Sequence, residues 1–156
     1  MIPLVDNTVL SNFALVGRIE LIPLALGSNV STTTQVAAEF QDGVARGRLP
    51  ETRLAWLEVL ELLPEELDLY SEQLKRVNAG EAACLAVAAH RNGRVLTDDR
   101  DARKLAAQMK IPVSGTLGVL LRLVQIDELT LPEANNMLKQ MIAQGYRSPV
   151  EKLDDL

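Results

Sequence analysis

The sequence predicts an α/β fold: a central, mostly parallel sheet with helices on both faces, three layers in all. Three observations carry that expectation. Short apolar runs alternate with helix-period segments along the whole chain, the pattern of strands joined by crossover helices. At 156 residues, 47% hydrophobic and 24% charged, the chain has the size and balance of one domain with a sizeable core. No Pro/Gly/Ser-rich linker, internal repeat or low-complexity tract divides it. Aromatics make up only 3%, so the core is expected to consist of Leu, Val, Ile and Ala.

Residues 1–6 read as a short buried strand ending on an acid, Asp6. Val9, Leu10, Phe13 and Leu15 recur at helical spacing over 8–16. A second helix over 19–26 stops near Gly27, and the polar, β-branched stretch 28–33 reads as a short edge strand or a loop. Val36, Ala37, Phe40 and Val44 place a helix over 34–47. Pro50, tolerated in a first turn, opens a helix over 51–57. The apolar run 59–63 before Pro64 reads as a strand, and 65–77 as a polar helix. Its acids come early and Lys75 and Arg76 late, as the helix dipole favours. Residues 79–90 are apolar on nearly every side and form a buried helix, with His90 at its negative end. Asn92-Gly93 stops it; a strand over 94–97, a helix over 99–109, a strand over 111–113 and a helix over 115–124 follow. Thr130 and Glu133 form a capping box with Pro132 in the first turn, opening a helix to about residue 143. Gly145 ends it, so the domain is expected over 1–146 and a polar tail over 147–156.

Composition removes several classes of function. The longest apolar run covers residues 82–89, far short of the roughly 20 residues a bilayer span needs. The first six residues carry no basic region before an apolar stretch, so no signal peptide is expected. Cys84 is the single cysteine and cannot form an internal disulfide, which points to a reducing, cytoplasmic setting. The net charge of −5 argues against holding nucleic acid through a large positive field, but not against acting on it through a metal. With His90 the only histidine, no histidine acid–base pair exists. No serine sits in a G-x-S-x-G elbow, and no G-x-x-x-x-G-K phosphate loop is present. Trp56, Tyr70 and Tyr146 are too scattered for a base-stacking platform.

Open parallel sheets build their sites beyond the carboxyl ends of the strands, so the acids there matter most. Asp6 follows Ile2-Pro3-Leu4-Val5, and Asp98 and Asp99 follow Val95-Leu96-Thr97, with Asp101 in the same turn. Asp6 reads equally as a cap for the helix after it, and one of Asp98 and Asp99 as another cap. Glu81 opens a helix that is otherwise apolar all round, where a carboxylate needs something to satisfy its charge. Capping after Gly80 is the alternative there, and a solvated helix face is the alternative for Glu39. Taken together, two strand ends and two largely apolar helices each direct one acid toward the same face. Converging carboxylates repel unless a cation joins them, and an oxygen-only set selects Mg²⁺ or Mn²⁺ over zinc.

At these residues the sequence resembles the PIN-domain family of metal-dependent ribonucleases, which includes VapC-type toxins. Val5-Asp6-Asn7-Thr8-Val9-Leu10 is similar to the family's first motif, and Glu39 falls 33 residues after Asp6, inside a helix, as the second family acid does. Gly80-Glu81-Ala82-Ala83-Cys84-Leu85-Ala86 resembles the third motif. Thr97-Asp98-Asp99-Arg100-Asp101-Ala102-Arg103 resembles the fourth, with Asp99 at the family acid 18 residues after Glu81 and Asp98 as its neighbour and substitute. Ile111-Pro112-Val113-Ser114-Gly115-Thr116-Leu117-Gly118-Val119-Leu120 and Gly145-Tyr146-Arg147 look like an uncharacterised prokaryotic branch. The sequence departs from the family at Ala102, where the fourth motif usually carries an aromatic.

The resemblance implies a three-layer α/β/α domain, a homodimer, that cleaves RNA with Mg²⁺ or Mn²⁺ and is silenced by an antitoxin protein. It implies that Asp6, Glu81 and Asp99 hold the metal, with Glu39 completing the set and orienting the attacking water, and Asp98 as the alternative to Asp99. Thr8 and Thr97 would orient water or a carboxylate, against a reading as ordinary caps. Arg100, Arg103 and Lys104 would steer the RNA backbone, against a reading as a solvated helix face. Two other functions fit the residues less well: a catalytically silent PIN-like module that binds RNA or protein, and an aspartate-based phosphatase. The latter wants a second acid two residues after Asp6, where Thr8 stands.

Overall fold

The computed structural model describes residues 1–27 and 29–156; Ser28, where the stretch expected over 28–33 begins, lies outside them. Five strands form one sheet: β1 (Ile2–Val5), β2 (Ser31–Thr33), β3 (Glu58–Leu60), β4 (Gly93–Leu96) and β5 (Val113–Ser114). Every pairing is parallel and the order is β3-β2-β1-β4-β5. The helices are α1 (Asn7–Leu15), α2 (Leu21–Leu26), α3 (Thr34–Ala45), α4 (Leu67–Gln73), α5 (Ala79–His90), α6 (Arg100–Gln108), α7 (Thr116–Gln125) and α8 (Leu131–Ala143). The architecture is the expected three-layer α/β/α.

The chain leaves β1 toward β2 and β3, then returns to the other side of β1 for β4 and β5. The β1/β4 boundary is therefore a topological switch point, where helices leave in opposite directions and open a crevice at the strand ends. Register brings those ends level, Val5 opposite Leu96 and Leu96 opposite Ser114.

α5 packs on β1, β2 and β4, with α3, α4 and α6 around it. Its side chains from Ala82 to Val87 are fully buried, and their small size lets the helix sit close to the sheet. A second group packs α7 against α2, β5 and α8. The core is aliphatic as expected, with both phenylalanines, Phe13 and Phe40, inside it. Among the described residues no helix is long and apolar enough to cross a membrane.

Three expectations fail locally. β2 is an interior strand, not an edge, because its hydroxyls find partners: Thr32 Oγ1 donates to the Val5 carbonyl at 2.7 Å and Thr33 Oγ1 caps α3. Residues 51–57 are not a helix; a single turn closes there, Leu57 N–H to Leu54 O at 3.0 Å. Seven residues nucleate a helix poorly without an apolar face to dock. The polar helix expected over 65–77 is a 3-10 turn (Pro64–Glu66) followed by the shorter α4, so Lys75 and Arg76 lie beyond its end. Its Glu66 is fully buried, held by Arg91 Nε at 2.9 Å and Nη2 at 2.7 Å and by the Leu63 N–H. The tail docks through Leu153, which is buried against α8 while its N–H donates to Asn135 Oδ1 at 2.8 Å.

Candidate active site

Asp6 is the first residue after β1 and is 1% exposed. It occupies the N-cap position of α1, yet its side chain makes no cap; only its carbonyl accepts, from the Leu10 N–H at 3.2 Å. The carboxylate faces β4 instead. Asp6 Oδ2 accepts from Thr97 Oγ1 at 2.8 Å and from Thr8 Oγ1 at 3.3 Å. Asp6 Oδ1 is buried and has no hydrogen-bond partner. A buried carboxylate oxygen without a donor is costly, and this one sits at the switch point of the sheet.

Each threonine hydroxyl works in two directions. Thr97 Oγ1 donates to Asp6 and accepts the Asp99 N–H at 3.2 Å; Thr8 Oγ1 donates to Asp6 and accepts the Asp98 N–H at 2.9 Å. The turn after β4 is thereby fastened to the end of β1 at two successive residues.

The two aspartates of that turn then part. Asp99 caps α6, its Oδ2 accepting the Ala102 N–H at 2.9 Å. Asp98 turns toward α7, its Oδ1 accepting the Thr116 N–H at 2.8 Å and its Oδ2 accepting from Thr116 Oγ1 at 2.5 Å and Asn12 Nδ2 at 3.1 Å. Both oxygens of Asp98 are engaged. Asp101 is exposed.

Glu81 and Glu39 meet at the start of α5. Asn78, not Gly80, is the cap residue: its Oδ1 accepts the Glu81 N–H at 2.9 Å, and Glu81 Oε2 accepts the Asn78 N–H at 3.2 Å. Glu81 is thus a capping residue by one oxygen, which satisfies part of its charge although it is 5% exposed. Glu39 Oε1 accepts the Gly80 N–H at 2.8 Å. A Cβ on residue 80 would meet the Glu39 carboxylate, so any larger residue there displaces Glu39 from its place on the Gly80 N–H.

Electrostatics ties the four acids together. Burial raises the Asp6 carboxyl against the lowering influence of the Thr97 hydroxyl, the Asn7 backbone N–H and the Thr8 hydroxyl, and negative Asp99 adds to the rise. Burial and negative Asp6 raise Glu39. Glu81 is pushed up to about 8 by burial, with Asp6 and Asp99 next in weight. Asp98 is also raised by burial, but the charge that acts on it is Arg103, not the other acids.

Asp6, Glu39, Glu81 and Asp99 share a pattern: each engages one oxygen with a protein donor, and none of the hydrogen bonds among the described residues reaches the other. Among the described residues no group of three His, Cys, Asp or Glu side chains stands already gathered as a metal cage. The donor set nonetheless fits a hard divalent cation: oxygens only, mutual repulsion, and one oxygen with no partner. Asp99 also lines an open cavity of about 750 Å³ between α1, the end of β4 and residues 145–149.

Arg100 and Arg103 line cavities beside the acids, while Lys104 lines none of those described. Sequence reasoning gave no role to Asn12, Asn78, Thr116, Tyr146 or Arg147. Asn78 was readable, since Asn-x-x-Glu is a capping signature. The others depend on tertiary placement; Tyr146 is half-buried, and burial with negative Asp98 raises its phenol so that it stays neutral.

A family model described as a PIN domain matches residues 2–155. The comparison with curated proteins found no match.

Proposed function

This chain belongs to the PIN-domain family, a nuclease fold, and on that premise we propose that it is a Mg²⁺- or Mn²⁺-dependent endoribonuclease. Asp6, Glu39, Glu81 and Asp99 are its metal-site acids. The observation that carries this reading is the unpartnered, buried Oδ1 of Asp6, beside three other acids that each leave one oxygen without a protein donor. Asp98 is left out because both of its oxygens are taken by Thr116 and Asn12.

When bound, the divalent ion lowers the pKa of a water and neutralises charge building on the scissile phosphate. Asp6 and Asp99 offer their oxygens from adjacent strand ends, held in register by Thr97. Glu81 offers one oxygen from the start of α5, where capping fixes its backbone. Glu39, half-buried and anchored on the Gly80 N–H, completes the set and would orient the attacking water.

In the same reading the nuclease acts as the toxin of a toxin–antitoxin pair and works as a homodimer, following its resemblance to VapC-type proteins. Incubating the protein with RNA in Mn²⁺, Mg²⁺ or EDTA tests the chemistry. Cleavage in either metal, none in EDTA and none by Asp6→Asn is the expected outcome; cleavage that survives EDTA overturns it. Co-expression with the product of a neighbouring reading frame tests the toxin role, with loss of growth inhibition expected.

A further inference from the structure

Of the 16 cationic side chains, three are half-buried: Arg18, Arg91 and Arg94; the rest are exposed. Arg18 pairs with Glu20, and Arg91 with the buried Glu66. Arg94 makes no ion pair, and the arginine side-chain hydrogen bonds among the described residues belong to Arg18, Arg46, Arg91 and Arg103. Its place in the sheet sets it apart as well. β4 is an interior strand, paired in parallel with β1 and β5, and such strands are normally apolar on both faces. Side chains alternate along a strand, so Arg94 and Leu96 share one face. An arginine stays charged in any protein environment, and taking that charge partly out of water is costly unless an opposite charge meets it.

The Arg94 side chain lines a cavity of about 230 Å³ enclosed by β4, β5, α2 and α7. Arg122 and Gln125 line it from α7, three residues apart and so on one helical face. Ser114 lines it from β5, and Leu96 and Val119 give it an apolar wall. A Cβ on Gly118 would stand against Ser114 Oγ, so glycine there keeps that hydroxyl clear. No acid is among the described lining residues, whereas Asp98 lines both cavities at the carboxyl end of β4. Two guanidiniums, a hydroxyl and an amide offer donors to an oxyanion, and no negative group is there to repel it. The volume falls below the roughly 300–1,000 Å³ of pockets that hold drug-sized ligands, which suits a single phosphate group.

We infer that this cavity is an anion site in which Arg94 and Arg122 clamp one phosphate, free or at the end of a small phosphate ester, with Ser114 and Gln125 donating to its other oxygens. None of the four acids lines it, and it does not depend on the ribonuclease reading. Thr116, which holds Asp98, opens α7, and Asp98 follows β4. A phosphate between Arg94 and Arg122 would join the same strand and helix again, nearer the opposite ends of both.

Equilibrium dialysis of radiolabelled inorganic phosphate against the whole chain, in EDTA and at fixed ionic strength, tests the site. Saturable uptake of one phosphate per chain is expected. Arg94→Gln and Arg122→Gln should each weaken it about tenfold or more, the worth of a hydrogen bond to a charged group. Arg94→Lys keeps the charge without the planar fork and should recover only part of the affinity. Arg147→Gln, the same charge change in the wall of the cavity at Asp99, should bind as the parent does. Phosphate also stabilises proteins through exclusion from their surface, so melting temperature is read as a difference. The saturable rise seen in the parent and in Arg147→Gln should be missing from Arg94→Gln and Arg122→Gln. Adenosine monophosphate, added as a competitor, separates the two sources: displacement of the label assigns the site to phosphate esters, and none assigns it to the free ion.

Arg122 is exposed, so its variant keeps the fold and decides the matter even where Arg94→Gln fails to fold. Phosphate bound by Arg122→Gln as tightly as by the parent overturns the site, as does a parent that takes up no phosphate saturably. Equal weakening in Arg147→Gln would move the anion to the cavity at Asp99 and overturn it too.

Discussion

The Thr97 hydroxyl lies 2.8 Å from Asp6 Oδ2, donating across the β1/β4 boundary, and takes the Asp99 N–H at 3.2 Å on its other side. One buried side chain thereby sets both the rotamer of one acid and the backbone of another. Removing that hydroxyl takes away the shortest hydrogen bond to Asp6 Oδ2 and leaves the longer contact from Thr8 at 3.3 Å. Partners that orient metal ligands carry about 10- to 100-fold in metal affinity. Thr97→Val is expected to raise the Mn²⁺ concentration for half-maximal activity by that factor, with much of the rate recovered at saturation. Thr97→Ser, which keeps the hydroxyl, should restore the affinity. A Mn²⁺ titration of cleavage by the three proteins checks it.

Asp6→Asn separates a metal ligand from a structural cap. Asp6 makes no side-chain cap, and its carboxylate meets burial and negative Asp99. The metal-free variant should therefore melt at the same temperature as the parent or higher. A ligand at 100 times its Kd adds about 2.7 kcal/mol, roughly 5–10 °C in a domain of this size. The parent should gain that shift in Mn²⁺ and Asp6→Asn should not. Calorimetry with and without the ion decides; a large loss of stability in EDTA would instead make Asp6 structural.

The Glu81 carboxyl, raised to about 8 by burial and by negative Asp6 and Asp99, gives the metal-free protein a distinct pH dependence. Unfolded, the group titrates near its model value of 4.5. Between these values the folded state binds more protons than the unfolded state, so stability falls as pH rises from about 4.5 to about 8. Glu81→Gln removes that slope, and melting temperature against pH in EDTA should show a flatter curve for it. Metal must displace the same proton, so Mn²⁺ affinity should rise by up to about tenfold per pH unit below pH 8 and level off above.

Where one physical signal dominated, the sequence was readable. β1 and the body of α5 carry apolar runs, Val95-Leu96 closes β4, and Asp6 and Asp99 follow strand ends that any parallel sheet must expose at its carboxyl edge. β2 defied its polarity because Thr32 and Thr33 satisfy their hydroxyls within the core. Polarity alone does not distinguish a solvated residue from a buried, partnered one. The same ambiguity hid Glu66, whose charge is matched by an arginine 25 residues away, Arg91. Glu81 looked like either a cap or a site acid; one of its oxygens caps α5, and none of the hydrogen bonds among the described residues reaches the other.

Asp98 and Asp99 were adjacent candidates, and no pattern in the chain separates neighbours whose side chains a turn sends opposite ways. The hydrogen bonds do. Asp99→Asn keeps an N-cap, since asparagine caps as well as aspartate, but it loses an anionic ligand; folding should survive and metal-dependent cleavage should not. Asp98→Asn does the reverse. Its new NH₂ faces either the Thr116 N–H or the Asn12 Nδ2, both donors, so one buried contact must fail. That costs about 1–3 kcal/mol, and it loosens the tie between α1, β4 and α7 while leaving the four acids in place. Urea denaturation of both variants alongside Mn²⁺-dependent cleavage checks the pair: Asp98→Asn should be the less stable and the more active. The opposite ranking would move the ligand from Asp99 to Asp98.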